Sequence, residues 1–208
     1  GDVTIIPNGI AVDAFSFSES TRQKIRTELG IDEHTFVIGH SGGFRPVKNH
    51  RFLFDVFSGV YAQNHNVKLL LVGDGPLKNE LIEYAEQLHI RDRIMITGSV
   101  GNVYDYLCAM DVFLFPSLYE GLGISLIEAQ VSGLPCLISD TISREAIISD
   151  TCTALPLHDK AQWISAIMNK TNTELPKSPH RPLPKNSTKF DIKTVTKQLE
   201  DFYLRTYE

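Results

Sequence analysis

The strongest constraint on the fold of this 208-residue chain is a rhythm, in which short apolar runs without in/out alternation recur between stretches of helical length. The runs are Thr4–Ile6, Phe36–His40, Lys68–Val72, Arg93–Thr97, Val112–Phe115 and Pro135–Ile138. A strand that is apolar at consecutive positions is covered on both faces, as the strands of parallel sheets are. Between the runs lie amphipathic segments at Ser20–Leu29, Asn49–Gln63, Pro76–Leu88, Val103–Ala109 and Gly123–Ser132, each opened or closed by proline, glycine or a polar cap. This alternation predicts an α/β architecture: a doubly wound parallel sheet of about six strands, helices on both faces and right-handed crossovers. Ligands of such sheets sit at the carboxyl ends of the strands. The loops after His40, Val72, Thr97, Phe115 and Ile138 are therefore where function is expected, and four of the five contain glycine.

Residues 1–170 read as one domain, with Trp163 in a core-packing helical pattern over Asp159–Asn169. Residues 171–189, rich in proline and poor in apolar side chains, read as a surface connection, and 190–208 as a helix with Ile192, Val195, Leu199, Phe202 and Tyr203 on one face. A net charge of -5 argues against nucleic acid as a partner and requires any anionic ligand to be met by local cations. The three cysteines, Cys108, Cys136 and Cys152, form no C-x-x-C pair, which argues against a disulfide framework or a zinc site and for a reducing, cytoplasmic compartment. No apolar run approaches the ~20 residues needed to cross a bilayer, and the N-terminus lacks a signal-peptide pattern. Gly1 stands where a start methionine is expected, so the natural chain is expected to extend upstream.

Chemistry concentrates between Phe115 and Pro135, where an apolar strand ends at Pro116 and a glycine-interrupted loop opens a helix near Gly123. The first N–H groups of a helix have no internal partners and carry the positive end of its dipole. Gly121, Leu122, Gly123, Ile124 and Ser125 therefore make a natural anion seat, and the two glycines leave out Cβ atoms that would hold a ligand off the backbone. Glu120 precedes the seat and Glu128 follows it within the helix, both among apolar neighbours where a carboxylate needs a partner. Acceptor-only groups of this kind suit hydroxyls.

The segment Glu120 to Glu128 resembles the glutamate, seven residues, glutamate motif of the family-four retaining glycosyltransferases of the GT-B fold. LLLVGDGPLKNEL (Leu69–Leu81), RIMITGSVGNVYDYLCAMDVFLFPS (Arg93–Ser117), IIPNGI, VKNH and GLPCLISD extend the likeness from Ile5 to about Asp140. EAQVSGLPCLISDTISREA and the tail FDIKTVTKQLEDFY are similar to bacterial exopolysaccharide or capsule enzymes. The resemblance implies half of a two-domain enzyme: a Rossmann-like domain that binds the nucleotide sugar. The partner would be an N-terminal domain holding a glycan or lipid-linked acceptor, and the whole protein would sit at the inner face of the membrane. Glu120 would hold hydroxyls of the donor sugar, Glu128 the ribose hydroxyls, and the amides of Gly121–Ser125 the sugar and diphosphate. Ser99 and Val100, after the fourth run, stand where the family offers backbone groups to the base. No metal and no cofactor are implied beyond the donor, with UDP the favoured nucleotide, and the chain has no Asp-x-Asp metal motif.

The family's basic pair is where this chain departs. With Lys48 aligned to the family lysine, the arginine position in the glycine loop Gly42-Gly43 is occupied by Gly43. Arg45 stands two residues later, on the same side of an extended loop, and is expected to supply the lost charge. Asn8-Gly9 and Gly73-Asp74-Gly75-Pro76 read as turns, and His40 and His50 as polar caps or satisfied core residues. A nucleotide-sugar-binding module inactive alone, and a GT-B epimerase or hydrolase, are alternatives to a transferase. A dinucleotide oxidoreductase is disfavoured, since no G-x-G-x-x-G follows the first strand.

Overall fold

The structure, a computed structural model, describes residues 5–171 and 181–206. One sheet organises it. Strands β1 (Phe36–Ser41), β2 (Val67–Val72), β3 (Ile94–Ile96), β4 (Val112–Phe115), β5 (Cys136–Ser139) and β6 (Cys152–Leu155) lie in the order β3-β2-β1-β4-β5-β6, all parallel. The helices are α1 (Glu19–Glu28), α2 (His50–Tyr61), α3 (Lys78–Gln87), α4 (Val103–Ala109), α5 (Ile124–Val131), α6 (Lys160–Thr171) and α7 (Ile192–Thr206).

The doubly wound arrangement follows from strands that are apolar on both faces. Val37, Leu70, Val72, Phe113, Phe115 and Ile138 point into one core layer with Ile25 of α1, Leu107 of α4 and Leu126 of α5. Their alternating neighbours Phe36, Ile38, Leu69, Leu71, Val112, Leu114 and Leu137 point into the other, with Phe54 and Phe57 of α2, Leu81 of α3 and Trp163 of α6. Trp163 is fully buried, edge-on to Phe52 at 5.3 Å, and its indole N–H donates to the Pro156 carbonyl, so truncation there should cost about 3–5 kcal/mol. At the amino end of the sheet, Asp111 accepts from Arg22 at 2.6 Å and from the Val37 amide at 2.7 Å, which ties α1 to β1 and β4.

Several expectations are corrected. Ile5 and Ile6 are in no strand, and Ile5 is exposed; the segment has no sheet partner. The sixth strand is instead Cys152–Leu155, an edge strand whose exposed Thr153 and Ala154 break the apolar run that would have marked it. Asn8-Gly9 is not a turn: a Cβ on Gly9 would lie 2.8 Å from the Ile192 Cα, so the glycine admits α7 close to the entering chain. Ile10 then exchanges backbone bonds with Phe190 and Ile192, both 2.8 Å. Part of the 171–189 connection, and Thr4, lie outside the described residues. Arg181, within that connection, is anchored rather than solvated: it donates to the Met110 carbonyl at 2.9 Å and stacks over Phe17 at 4.3 Å. Of the expected apolar face of α7 only Val195 is buried; Ile192, Leu199, Phe202 and Tyr203 are exposed.

Candidate functional site

The order of the strands decides where a ligand can enter. From β1 the chain moves outward to β2 and β3, then returns to the other side of β1 as β4, and the helices that follow, α2 and α5, lie in opposite core layers, so the switch point where ligands of such sheets bind falls at the loops leaving the carboxyl ends of β1 and β4. Those loops are the glycine loop Gly42–Asn49 and the segment Pro116–Gly123.

Backbone bonds hold the two together. The Leu118 amide donates to the Val47 carbonyl at 2.8 Å, and the Asn49 side chain donates to the Pro116 carbonyl at 3.2 Å. Asn49 adopts a left-handed conformation (φ 55°) that turns the chain from a single turn of 3-10 helix, Pro46–Lys48, into α2. On the far side the Gly73–Pro76 loop is zipped to the glycine loop, with the Gly42 amide donating to Val72 at 3.0 Å and the Phe44 amide to Asp74 at 2.9 Å. Gly73 has φ +148°, and a Cβ there would lie 2.1 Å from the Gly42 carbonyl oxygen, so only glycine allows this approach.

This framework brings Lys48 to Glu120. Lys48 Nζ lies 2.8 Å from Glu120 Oε1, both side chains are only 16% exposed, and the ammonium faces the Phe115 ring at 4.9 Å. The lysine stem crosses Gly42: its Cε is 3.2 Å from where a Cβ of residue 42 would stand, with His40 Nε2 3.3 Å from the same point. Gly43, by contrast, has open surroundings, and the nearest atoms to its would-be Cβ include Nε and Cγ of Arg45, at 3.8 and 4.0 Å. The exposed Arg45 side chain thus runs beside Gly43, where the resemblance led an arginine to be expected.

Gly123, at φ +71°, is the N-cap of α5 with no side-chain cap. The amides of Ile124 and Ser125 have no hydrogen-bond partner among the described residues. Gly121 and Ile124 are exposed, Leu122 and Ser125 half-buried, and Leu118 and Tyr119 add an exposed apolar rim. Glu128 lies one turn into the helix, where burial raises its pKa from 4.5 to about 7 against the pull of Lys48. The two glutamates are therefore in different states: one ion-paired, the other held close to neutrality. Ser99 and Val100 follow β3 and the Gly98 residue that bridges to Gly73; Ser99 is exposed and Val100 packs on the core.

Two histidines lie beneath the loops, and they are not the satisfied core residues expected. His40 Nδ1 bonds the Leu114 carbonyl at 2.8 Å, but its Nε2 and both nitrogens of His50 are buried without partners among the described residues. The rings meet edge-on at 4.9 Å, and burial lowers their pKa values to about 4 and about 2, so both are neutral. Among the described residues no cluster of three His, Cys, Asp or Glu could hold a metal ion.

A parallel sheet that reverses its winding over a glycine loop, beside an uncapped helix start and a lysine-glutamate pair, defines a Rossmann-like domain. The chain belongs to the glycosyl transferases group 1 family, whose model matches residues 21–173. It is 37% identical over 143 residues to a Bacillus subtilis protein named as a glycosyltransferase, EpsF, covering 69% of this chain and 37% of that one. Among solved structures it is similar to Anabaena Alr3699/HepE in complex with UDP and glucose, with a TM-score of 0.79 at 20% identity over 96% of this chain and 56% of that one. It is also similar to the C-terminal domain of LpcC from Francisella tularensis, with a TM-score of 0.71 at 17% identity, covering 88% of this chain and 100% of that domain. The chain thus spans about half or less of the length of the first two, and its fold is that of one half of a GT-B glycosyltransferase.

Proposed function

We propose that this chain is the donor-binding half of a retaining glycosyltransferase, which transfers a sugar from a nucleoside-diphosphate sugar to a glycan or lipid-linked acceptor. UDP is the favoured nucleotide, by analogy with the ligand of the Anabaena protein. The observation that carries the reading is the Lys48–Glu120 contact, made between residues 72 positions apart and set beside the free amides of α5. It supports a reading in which a cation, a hydroxyl-binding carboxylate and an anion seat act on one ligand.

In this reading the amides of Gly121–Ser125 hold the diphosphate, Lys48 and Arg45 neutralise it, Glu120 takes sugar hydroxyls and Glu128 the ribose. Gly42 and Gly43 let the phosphates approach the backbone, and Ser99 and Val100 border the base. As the bond from the anomeric carbon to the diphosphate oxygen breaks, its electron pair goes to that oxygen, where the two cations stabilise the charge without a metal. The acceptor hydroxyl attacks on the same face, and its proton leaves on the departing diphosphate. The acceptor belongs to an N-terminal domain, so this chain alone binds donor and transfers nothing. Exopolysaccharide assembly fits the motif likeness carried by Glu128–Ala146 and the C-terminal tail. Titration calorimetry with UDP, GDP and ADP tests the reading: UDP binding is expected, and no binding of any of the three refutes it.

A further inference from the structure

Resting on that reading, Lys48 and Glu120 have opposed duties, the one toward the diphosphate and the other toward the sugar, yet the fold has already joined them at 2.8 Å. The ammonium has three N–H donors, so a nucleoside diphosphate at Lys48 would share it with Glu120 and bring further negative charge beside that carboxylate. The pair is largely buried, each side chain 16% exposed, with the ammonium 4.9 Å from the Phe115 ring and the lysine stem packed over Gly42. Glu128 feels Lys48 as well, but burial keeps it close to neutral, which leaves Glu120 as the principal rival.

We propose that Glu120 is a specificity-determining residue: by competing with the diphosphate for Lys48, it makes the site favour a nucleotide sugar over the free nucleotide. With a free diphosphate bound, Glu120 shares its ammonium and faces a second anion, both of which cost affinity. With a nucleotide sugar bound, the sugar's hydroxyls donate to Glu120 and replace the lysine hydrogen bond, so the exchange is compensated. Once the sugar has moved to the acceptor, those hydroxyls leave the crevice. Glu120 then reclaims Lys48 and loosens the hold on the nucleotide product. The carboxylate that recognises the sugar thereby promotes nucleotide release.

A residue that touches only sugar hydroxyls should not alter binding of a ligand without a sugar, and this separates the two roles. We expect Glu120→Gln to tighten UDP binding about tenfold, because the amide cannot hold Lys48 as a carboxylate does. Affinity for UDP-glucose should not rise, so the preference for the sugar-bearing ligand collapses. Adding Lys48→Ala to Glu120→Gln should erase the gain. Calorimetry of each variant, with melting temperatures to verify folding and Glu120→Ala as a second substitution, reads the outcome. UDP affinity unchanged or weaker in folded Glu120 variants overturns the proposal while the functional reading stands, provided the unmodified chain binds UDP. If the unmodified chain binds none of UDP, GDP and ADP, both fall.

Discussion

Replacing Glu128 by glutamine should stabilise the protein above neutral pH and leave it unchanged near pH 4. Burial raises the folded-state pKa of this carboxyl to about 7, against 4.5 for an ordinary glutamate, and Lys48 offsets only part of that effect. Between those two values the folded chain retains a proton that the unfolded chain has released, so stability falls as pH rises, by about 1.4 kcal/mol per unit where the difference is complete. By pH 8 the deficit amounts to about 3 kcal/mol, and below pH 4.5 it vanishes because both states are protonated. Glutamine is neutral throughout and escapes the deficit. For a domain of this size each kcal/mol moves the melting temperature by about 2–4 °C, so the variant should melt roughly 6–12 °C above the parent at pH 8 and within a degree or two of it at pH 4. Thermal unfolding followed by circular dichroism from pH 4 to 8.5 measures the difference directly. Parallel melting curves across that range would show that Glu128 is solvated, and the raised pKa would have to be abandoned.

Two further perturbations examine the loops. Arg45→Ala should weaken UDP binding at least tenfold, since a charge-assisted phosphate contact contributes about 1.5–3 kcal/mol; unchanged affinity by calorimetry would remove Arg45 from the site. Adding Gly43→Arg to Arg45→Ala should restore much of it, because the nearest neighbours of a Cβ at residue 43, the Asp74 carbonyl oxygen and the Arg45 chain, stand 3.7 Å or more away. Gly73→Ala should cost about 2 kcal/mol or more, since its Cβ would meet the Gly42 carbonyl oxygen at 2.1 Å on a backbone at φ +148°. Urea unfolding measures that cost, and an alanine variant as stable as the parent would refute the close approach.

The sheet was legible because its strands are apolar on successive residues, so both layers of the core are written into runs such as Phe36–His40 and Lys68–Val72. Edges were less legible. Thr4–Ile6 carries the apolar signature but Ile5 and Ile6 pair with nothing in the sheet, whereas Cys152–Leu155 pairs along its length with β5 while exposing half its side chains. Apolar runs report burial on two faces, and an edge strand does not require it. The anion seat could be read locally, because glycine, turn and helix start are neighbours in sequence. The Lys48–Glu120 contact could not, since it depends on β4 lying beside β1, and alternating strands and helices are compatible with other orders. The imidazole nitrogens without partners among the described residues were hidden for a related reason: His40 is stacked with Phe113 and Phe115 of the neighbouring strand, and no local pattern announces that.

The electrostatics of the crevice show why the displaced arginine matters. Lys48 is engaged by Glu120, and Glu128, with a pKa of about 7, is partly protonated at neutral pH, so these three groups together present little net positive charge to a diphosphate. His40 and His50 add none, being neutral. Arg45 has no ion-pair partner among the described residues and stands exposed over Gly43. It is the cation of these loops that can meet an incoming diphosphate before any internal contact has to break. On this account Arg45 governs the first capture of the ligand and Lys48 its later hold on the leaving group, after sugar hydroxyls have released it from Glu120. Arg45→Ala should therefore slow association, with the rate gap narrowing as salt screens the crevice, whereas Glu120→Gln should act on dissociation.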